Sequence, residues 1–229
     1  MLVFPLHHFN PGVLSADVTM RVISGGTAIN DVETTIQTDG GGRWEGTLGE
    51  IDLDEPFYKR LWEAWSSHLA GGARPFLMPV PSLDTAPAPS AGRGVLWPSD
   101  IVTDDEYFPT YARFAKPWIE AETVGVSGSP PSVLTIAITR GSRLTPGMRF
   151  GMGGNRAYKI ERITDRDGQQ ATCIISPPCR VEWPDATPLN FDWPLVQCKA
   201  VIGQNLRPDY GFGYATTSLA FVEDFTDVG

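Results

Sequence analysis

The sequence has few of the residues on which disulfide, metal and nucleic-acid sites depend. Its 229 residues include only three cysteines and three histidines. An odd number of cysteines cannot form a closed set of disulfides, and no Cys-x-x-Cys pair offers half of a zinc site. Lysine and arginine together number 18, against 27 acidic residues. The net charge of −9 argues against stable nucleic-acid binding, because phosphate contacts need cationic side chains.

Long apolar runs are missing as well. No stretch approaches the roughly 18 consecutive apolar residues that a membrane-spanning helix needs, so we expect no membrane insertion. The first eight residues carry no basic segment before their apolar residues, and Pro5 interrupts the run. We therefore expect no signal peptide, synthesis in a cytoplasm, and reduced structural cysteines at positions 173, 179 and 198.

The signatures of common enzymes are also absent from the sequence. The segment from Gly125 to Ser129 has the wrong spacing for a Gly-x-Ser-x-Gly nucleophile elbow. Gly40–Gly42 lacks the Lys-Ser/Thr that follows a phosphate-binding loop. Asp104–Glu106 is typical of a solvated acidic face rather than of catalytic or calcium-binding carboxylates. These observations predict a protein that is not an enzyme and that holds no cofactor and no metal.

Turn-forming residues are abundant, with 24 glycines and 20 prolines in a chain that is 41% hydrophobic. Such a composition favours many short strands over a helical bundle. Between residues 17 and 38, Val18, Met20 and Val22 alternate with polar residues, and Ile36 follows after a predicted turn at Gly25-Gly26. This period of two predicts a pair of half-buried strands that are joined by a loop.

One segment has the periodicity of an amphipathic helix. Asp54 is a suitable N-cap, and Glu55-Pro56 suits a first turn. Apolar residues then recur at the spacing of helical turns, and Gly71-Gly72 offers a left-handed end. The stripe consists of Phe57, Leu61, Trp62, Trp65 and Leu69. It predicts core packing, with a surface for a partner subunit as the alternative.

Composition also indicates two domains. The Pro-punctuated segment 74–81 predicts an edge strand, and the Pro/Gly-rich segment 82–94 predicts a linker. Residues 95–199 contain short alternating strands and turns. The strand-like segment 218–223 resembles the strands of residues 1–81, which predicts that both ends of the chain belong to one sheet. The predicted fold is mainly β. A β-sandwich domain with one amphipathic helix, formed by residues 1–81 and 200–229, carries an inserted small β-barrel or sandwich, residues 82–199.

Several segments together carry a family resemblance. A strand with Trp44 precedes the helix, whose glycine end leads into an apolar segment with Phe76. Further matches are 144–150, with its Gly-x-x-Phe, the Tyr-x-Ile strand 157–160, the segment 171–180 with its Pro-Pro-x-Arg corner, and the closing strand 219–223. Over roughly residues 40–223 the chain resembles the distal tail protein of long-tailed phages and its counterpart in gene-transfer particles.

This resemblance implies a structural protein of the virion tail tip. The first domain would be a belt whose copies form a hexameric ring, and the inserted domain would face outward. The ring would join the tail tube protein above to the hub or baseplate proteins below. Belt core and subunit contacts are then expected from the helical stripe together with Trp44, Phe76 and Phe221. An acidic ring also suits a lumen through which DNA passes, since like charges repel.

Two other classes of function stay open at the level of sequence. A carbohydrate-binding host-adhesion module would expose several aromatic side chains of the inserted domain for stacking on sugars. The candidates are Trp97, Trp118, Trp183 and Trp193. Packing in a β-sandwich core is the competing interpretation of these four residues. A tail-tip lysozyme-like enzyme or peptidase is the third class, and the missing nucleophile elbow and zinc signature argue against it.

Overall fold

A computed structural model describes most of the chain. The described residues are 1–9, 11–27, 31, 33–37, 40–80, 120–126, 132–141, 143–191, 193–210 and 215–226. The predicted linker 82–94, the acidic run Asp104–Glu106, Trp97 and Trp118 lie outside them. The chain divides into two compact units, residues 1–80 with 195–229, and residues 81–194. The sequence placed the return to the first unit at residue 200. The difference arises because the strand from Leu195 to Ala200 pairs with two strands of the first unit.

The first unit is built around one open antiparallel sheet. Its strands are β1 (Val13–Thr19), β4 (Arg43–Asp52), β5 (Phe76–Pro79), β12 (Leu195–Ala200), β13 (Asp209–Tyr210) and β14 (Ala215–Glu223). Their spatial order is β1-β4-β14-β12-β5, and β13 pairs with β14. As predicted, the Pro-punctuated strand β5 lies at an edge, where a residue without an N–H costs no ladder hydrogen bond. The predicted closing strand forms the second half of β14.

The helical elements belong to the first unit. A short turn, α1 (Leu6–Phe9), precedes the amphipathic helix α2 (Pro56–Leu69), and a 3-10 turn covers Ala70–Gly72. The predicted N-cap is wrong: Glu55 occupies that position, and no side chain caps the helix. Asp54 instead accepts a hydrogen bond from the backbone N–H of Ala215 at 3.0 Å. Its carboxylate therefore joins the start of β14 to the start of the helix.

A two-stranded arm continues one pair of sheet strands. Strands β2 (Val22–Thr27) and β3 (Glu33–Gln37) pair antiparallel and form a separate two-stranded sheet. They extend the hairpin that β1 and β4 form, because β2 follows β1 and β3 precedes β4. The predicted half-burial of this region is wrong, since every described residue of β2 and β3 is exposed. The predicted turn at Gly25-Gly26 is wrong too, because both glycines lie within β2.

The second unit contains a closed six-stranded barrel. Its strands are β6 (Glu120–Thr123), β7 (Val133–Arg140), β8 (Arg149–Met152), β9 (Arg156–Asp167), β10 (Gln170–Ser176) and β11 (Pro188–Asn190). They close in the order β10-β7-β6-β11-β8-β9. The predicted alternation in β7 is confirmed, because Leu134, Ile136 and Ile138 are buried between half-buried or exposed neighbours. The Phe150 ring stacks on the Tyr158 ring, and its centroid lies 5.5 Å from that of Phe191. These aromatic rings pack in the barrel interior.

The predicted fold class is therefore confirmed: the described part of the chain is mainly β, with one amphipathic helix and a small barrel. Within the described part of the chain, no helix is long and apolar enough to cross a membrane.

Candidate subunit interface

The aromatic stripe of the helix lies in the core of the first unit. Trp62 is fully buried, and Phe9 meets it edge-on with the ring centroids 5.5 Å apart. Its indole N–H donates a hydrogen bond to the Leu206 carbonyl at 2.8 Å. Trp65 packs in the same way against Phe4 and Phe76, at 5.2 and 6.3 Å. These contacts, with buried Leu69, hold the helix against the N-terminal segment and β5.

The other predicted stripe residues lie nearer to the surface. Leu61 is half-buried, and Phe57 is 50% exposed. The Phe57 ring contacts the rings of His8 and Tyr58, at 5.8 and 5.5 Å. Of the predicted core and contact residues on the helix, Phe57 is thus the one that a partner could reach most easily.

Trp44 and Phe221 are buried in the sheet itself. The backbone N–H of Trp44 donates to the buried Glu223 carboxylate at 2.9 Å, which joins β4 to β14. Phe221 lies opposite Gly46, and its ring occupies the space that a side chain at Gly46 would need. Both aromatic residues therefore hold the sheet together, and neither offers a large contact surface.

One exposed apolar feature of the first unit is the arm, defined as β2 with β3. Ile23 and Ile36 face each other across the two strands, and their exposed fractions are 59% and 57%. Val22 is equally exposed. A ribbon of two strands is marginally stable by itself in water. An exposed apolar patch on such a ribbon is typical of a surface that a partner covers.

A second surface of the same unit is an open groove of about 630 Å³. One side is apolar, with Val201 and Ile202 on the turn that follows β12, and Ile202 is 86% exposed. The other lining residues are Arg21, Arg43, Glu45, Gly46, Thr47, Gly72, Lys199, Ala200, Ala220, Phe221 and Val222. The groove thus combines an apolar wall with a charged rim.

The rim of the groove is rich in cations. Arg21 and Arg43 both contact the single carboxylate of Glu45, at 3.7 and 2.7 Å. The Glu45 carboxylate thus lies between two guanidinium groups at this end of the groove. Lys199 lines the groove as well and forms an ion pair with Asp224 at 3.1 Å. Each of the three cationic side chains on the lining therefore forms an ion pair with a carboxylate.

Sequence reasoning missed both surfaces for identifiable reasons. The arm has the alternating pattern of a half-buried strand, and the sequence alone does not tell whether another element packs on it. The groove collects residues from β4, the 3-10 turn, β12 and β14, which are distant in sequence. The apolar pair Val201-Ile202 directly before Gly203 was the available signal, since a turn is an unusual place for two β-branched apolar residues.

The cysteines are unsuited to nucleophilic chemistry. All three are buried, and none of them forms a disulfide. Burial raises the pKa of Cys173 and that of Cys179 to about 11, although Arg166 and the Tyr158 hydrogen bond, respectively, act in the opposite direction. Both groups therefore stay protonated at neutral pH, where only a thiolate would attack. Among the described residues, no group of three or more His, Cys, Asp or Glu side chains is arranged to hold a metal ion.

Two of the four candidate sugar-binding tryptophans are described. Trp183 packs against the core of the barrel, and its indole N–H donates to the Tyr158 hydroxyl at 3.3 Å. Its ring lies directly over Gly153, where any Cβ would collide with it. Trp193 is 38% exposed, and its backbone is held by the Asn190 side chain. The two residues thus differ in role: Trp183 is half-buried against the barrel core, and Trp193 is the more exposed.

The chain matches no family model and no curated protein. A functional assignment therefore depends on the resemblance of its motifs and on the geometry of its exposed surfaces.

Proposed function

We propose that this protein is a structural subunit of a phage-like tail tip, whose copies form a ring that joins the tail tube to the hub or baseplate. Six copies are expected from the resemblance to distal tail proteins. The observation that carries the proposal is the exposure of every described residue of the arm, including the apolar side chains of Val22, Ile23 and Ile36. A subunit of an assembly explains why such residues persist on the surface.

The position of the arm and the groove supports a ring over a simple pair. The two surfaces differ in shape and chemistry, and both belong to the first unit. A contact between two different surfaces is heterologous, and repetition of such a contact closes into a ring when the rotation between subunits allows it. A two-fold dimer would instead need one surface that is complementary to itself.

The acidic charge of the chain is compatible with this role. A net charge of −9 on each subunit gives an assembled ring a strongly negative field. DNA that passes through such a ring is repelled from the wall and does not bind to it. The cation-rich groove is an exception on the subunit, and an interface with a neighbour would remove it from the DNA path.

The carbohydrate-binding alternative has less support. A sugar-binding surface needs exposed aromatic rings. The Trp183 ring packs over Gly153, and its indole N–H donates a hydrogen bond to the Tyr158 hydroxyl. Trp193 alone among the described tryptophans of the second unit remains exposed. We therefore place the function in assembly rather than in host adhesion.

Immunogold microscopy tests this proposal. Antibodies raised against the purified protein are applied to tailed particles from the source organism. We expect gold at the distal end of the tail, because the ring lies between tube and hub. Antibodies that were adsorbed beforehand on the purified protein serve as the control. Label on the head or along the tail shaft, or particles that lack the protein altogether, would contradict the proposed function.

A further inference from the structure

We propose that strand β3 of one copy pairs antiparallel with the outer edge of strand β1 of the next copy, so that neighbouring subunits share a continuous sheet. This inference rests on the proposed ring and names the contact that would hold it together. The occupant of the β1 edge is thus a second copy of this chain, and the segment that binds there is Glu33–Gln37.

Strand β1 is a long and unprotected edge of its sheet. All seven of its residues pair with β4, and none of the other described strands pairs with it. Proteins usually protect an exposed edge with proline, lysine, a bulge or a covering segment. Strand β1 contains neither proline nor lysine, and its register with β4 has no shift. Such an edge is open to the addition of a further strand.

The opposite edge of the same sheet is protected. Strand β5 has only four residues and ends at Pro79. The N-terminal segment lies along it, because Val3 bridges Leu77 and the Phe4 N–H donates to the Leu77 carbonyl at 2.8 Å. The contrast between the two edges singles out β1 as the edge that a neighbour can extend.

The arm provides a strand for this edge. A ribbon of two strands is marginally stable in water, and a third strand stabilises it. Within the chain β3 extends away from β1, because its last residue Gln37 pairs with Val22, three residues beyond the end of β1. A neighbouring copy therefore brings together two edges that stay apart within one chain.

The position of β3 within the arm suits a ring. Strand β2 continues the edge of β1, so a contact of β2 with a neighbouring β1 would be two-fold. Strand β3 lies on the other side of the ribbon, because it pairs with β2 and leads towards β4. Its contact with β1 joins two different surfaces, and such contacts can repeat until they close.

The apolar side chains of the two strands match in one antiparallel register. Leu14, Ala16 and Val18 share one face of β1, since side chains alternate along a strand. With Ile36 opposite Ala16, all five residues of β3 pair within β1. Ile36, which is 57% exposed, then lies between Leu14 and Val18, and Leu14 is 41% exposed. The contact would bury apolar area on both copies.

Charge favours the same register. Each strand has one carboxylate, Asp17 on β1 and Glu33 on β3. In this register both carboxylates face threonines, Thr35 and Thr19 respectively. A shift by two residues that keeps β3 within β1 would place Glu33 directly opposite Asp17, and like charges in that position are destabilising.

Disulfide trapping tests the contact and its register. In the proposed pairing Ser15 lies opposite Gln37, both are exposed, and directly opposite residues are close enough for a disulfide. The double variant Ser15→Cys/Gln37→Cys is oxidised and run on a non-reducing denaturing gel, and the three natural cysteines are buried. We expect a ladder of covalent oligomers that ends at the size of the closed ring. A mixture of the two single variants should give a covalent dimer and no higher species.

The matched control moves one cysteine by a single residue. Ser15→Cys/Ile36→Cys places the second thiol on the other face of β3, although Ile36 and Gln37 are both exposed. This variant should give no ladder. Equal ladders from both double variants would overturn the proposed pairing, because random collision would then explain the products.

A charge variant provides an independent measurement by light scattering. Ile36→Lys places an ammonium group between Leu14 and Val18 of the neighbour, and we expect association to weaken about 10-fold or more. Ile36→Val keeps a β-branched apolar side chain and should associate nearly as the natural protein does. Rings that persist at natural strength in Ile36→Lys would overturn this contact and leave the proposed ring intact.

The outcomes for the contact and for the proposed function are distinguishable. Closed rings of the natural protein, together with no ladder from Ser15→Cys/Gln37→Cys, would overturn the β1–β3 contact alone. A ladder from that variant without closed rings of the natural protein would support the contact and count against the proposed function.

Discussion

Replacement of Trp62 by alanine is expected to destabilise the first unit by about 3–5 kcal/mol. Trp62 is fully buried and meets Phe9 edge-on. Its loss leaves a cavity between the helix and the N-terminal segment, and the Leu206 carbonyl loses the indole N–H that donates to it. The cost combines lost burial, a cavity and an unsatisfied acceptor. Urea unfolding followed by circular dichroism measures the shift of the transition.

Two control variants separate these contributions. Phe57→Ala removes an aromatic ring from the same helix at a half-exposed position, so its cost should stay below about 1.5 kcal/mol. Trp62→Phe keeps most of the buried apolar volume and removes the hydrogen bond, so its cost should lie between those of the two alanine variants. Equal destabilisation by Trp62→Ala and Phe57→Ala would show that Trp62 does not anchor the helix.

Gly72→Ala should produce the second large effect. Gly72 has φ +99°, a conformation that L-residues rarely adopt. Its missing Cβ would point at the Ala200 carbonyl oxygen, a backbone atom in strand β12 that cannot rotate away. Backbone strain of about 1–2 kcal/mol adds to an overpacking cost of about 1–3 kcal/mol. We therefore expect a loss of about 2–5 kcal/mol in the free energy of unfolding of the first unit.

The neighbouring glycine provides the control for the steric part. Gly71 also has a positive φ, +67°, but no atom lies within 4 Å of the position its Cβ would take. Gly71→Ala should therefore show the backbone strain alone, about 1–2 kcal/mol. The difference between the two variants in urea unfolding measures the clash with Ala200. Identical losses in both variants would mean that the 3-10 turn does not pack against β12 as the structure has it.

Much of the fold was predictable from local sequence patterns. Strand β7 and the helix were found because Leu134, Ile136 and Ile138 alternate with a period of two and the aromatic stripe recurs at helical spacing. The N-cap was not predictable in the same way. Asp54 has the right chemistry for a cap, but Ala215, more than 150 residues away, takes its hydrogen bond in the folded chain. Tertiary contacts of this kind have no local signature.

The candidate interface was less accessible to sequence reasoning than the core. Alternation in the arm correctly indicated strands, yet burial depends on what packs on the strand, and Ile23 and Ile36 are more than half exposed. Conversely, the conspicuous residues Trp44, Trp62 and Trp65 are buried in the core. Large aromatic side chains mark packed regions, whereas the exposed residues at the proposed contact are smaller β-branched ones.

Electron microscopy of the purified protein across a range of concentrations tests the central claim most directly. Class averages should show closed rings with a central opening, and six copies per ring are expected. The mass of the same sample in solution should be six times that of one chain. A protein that remains a monomer at every concentration, or that forms only two-fold dimers, would contradict the proposed ring.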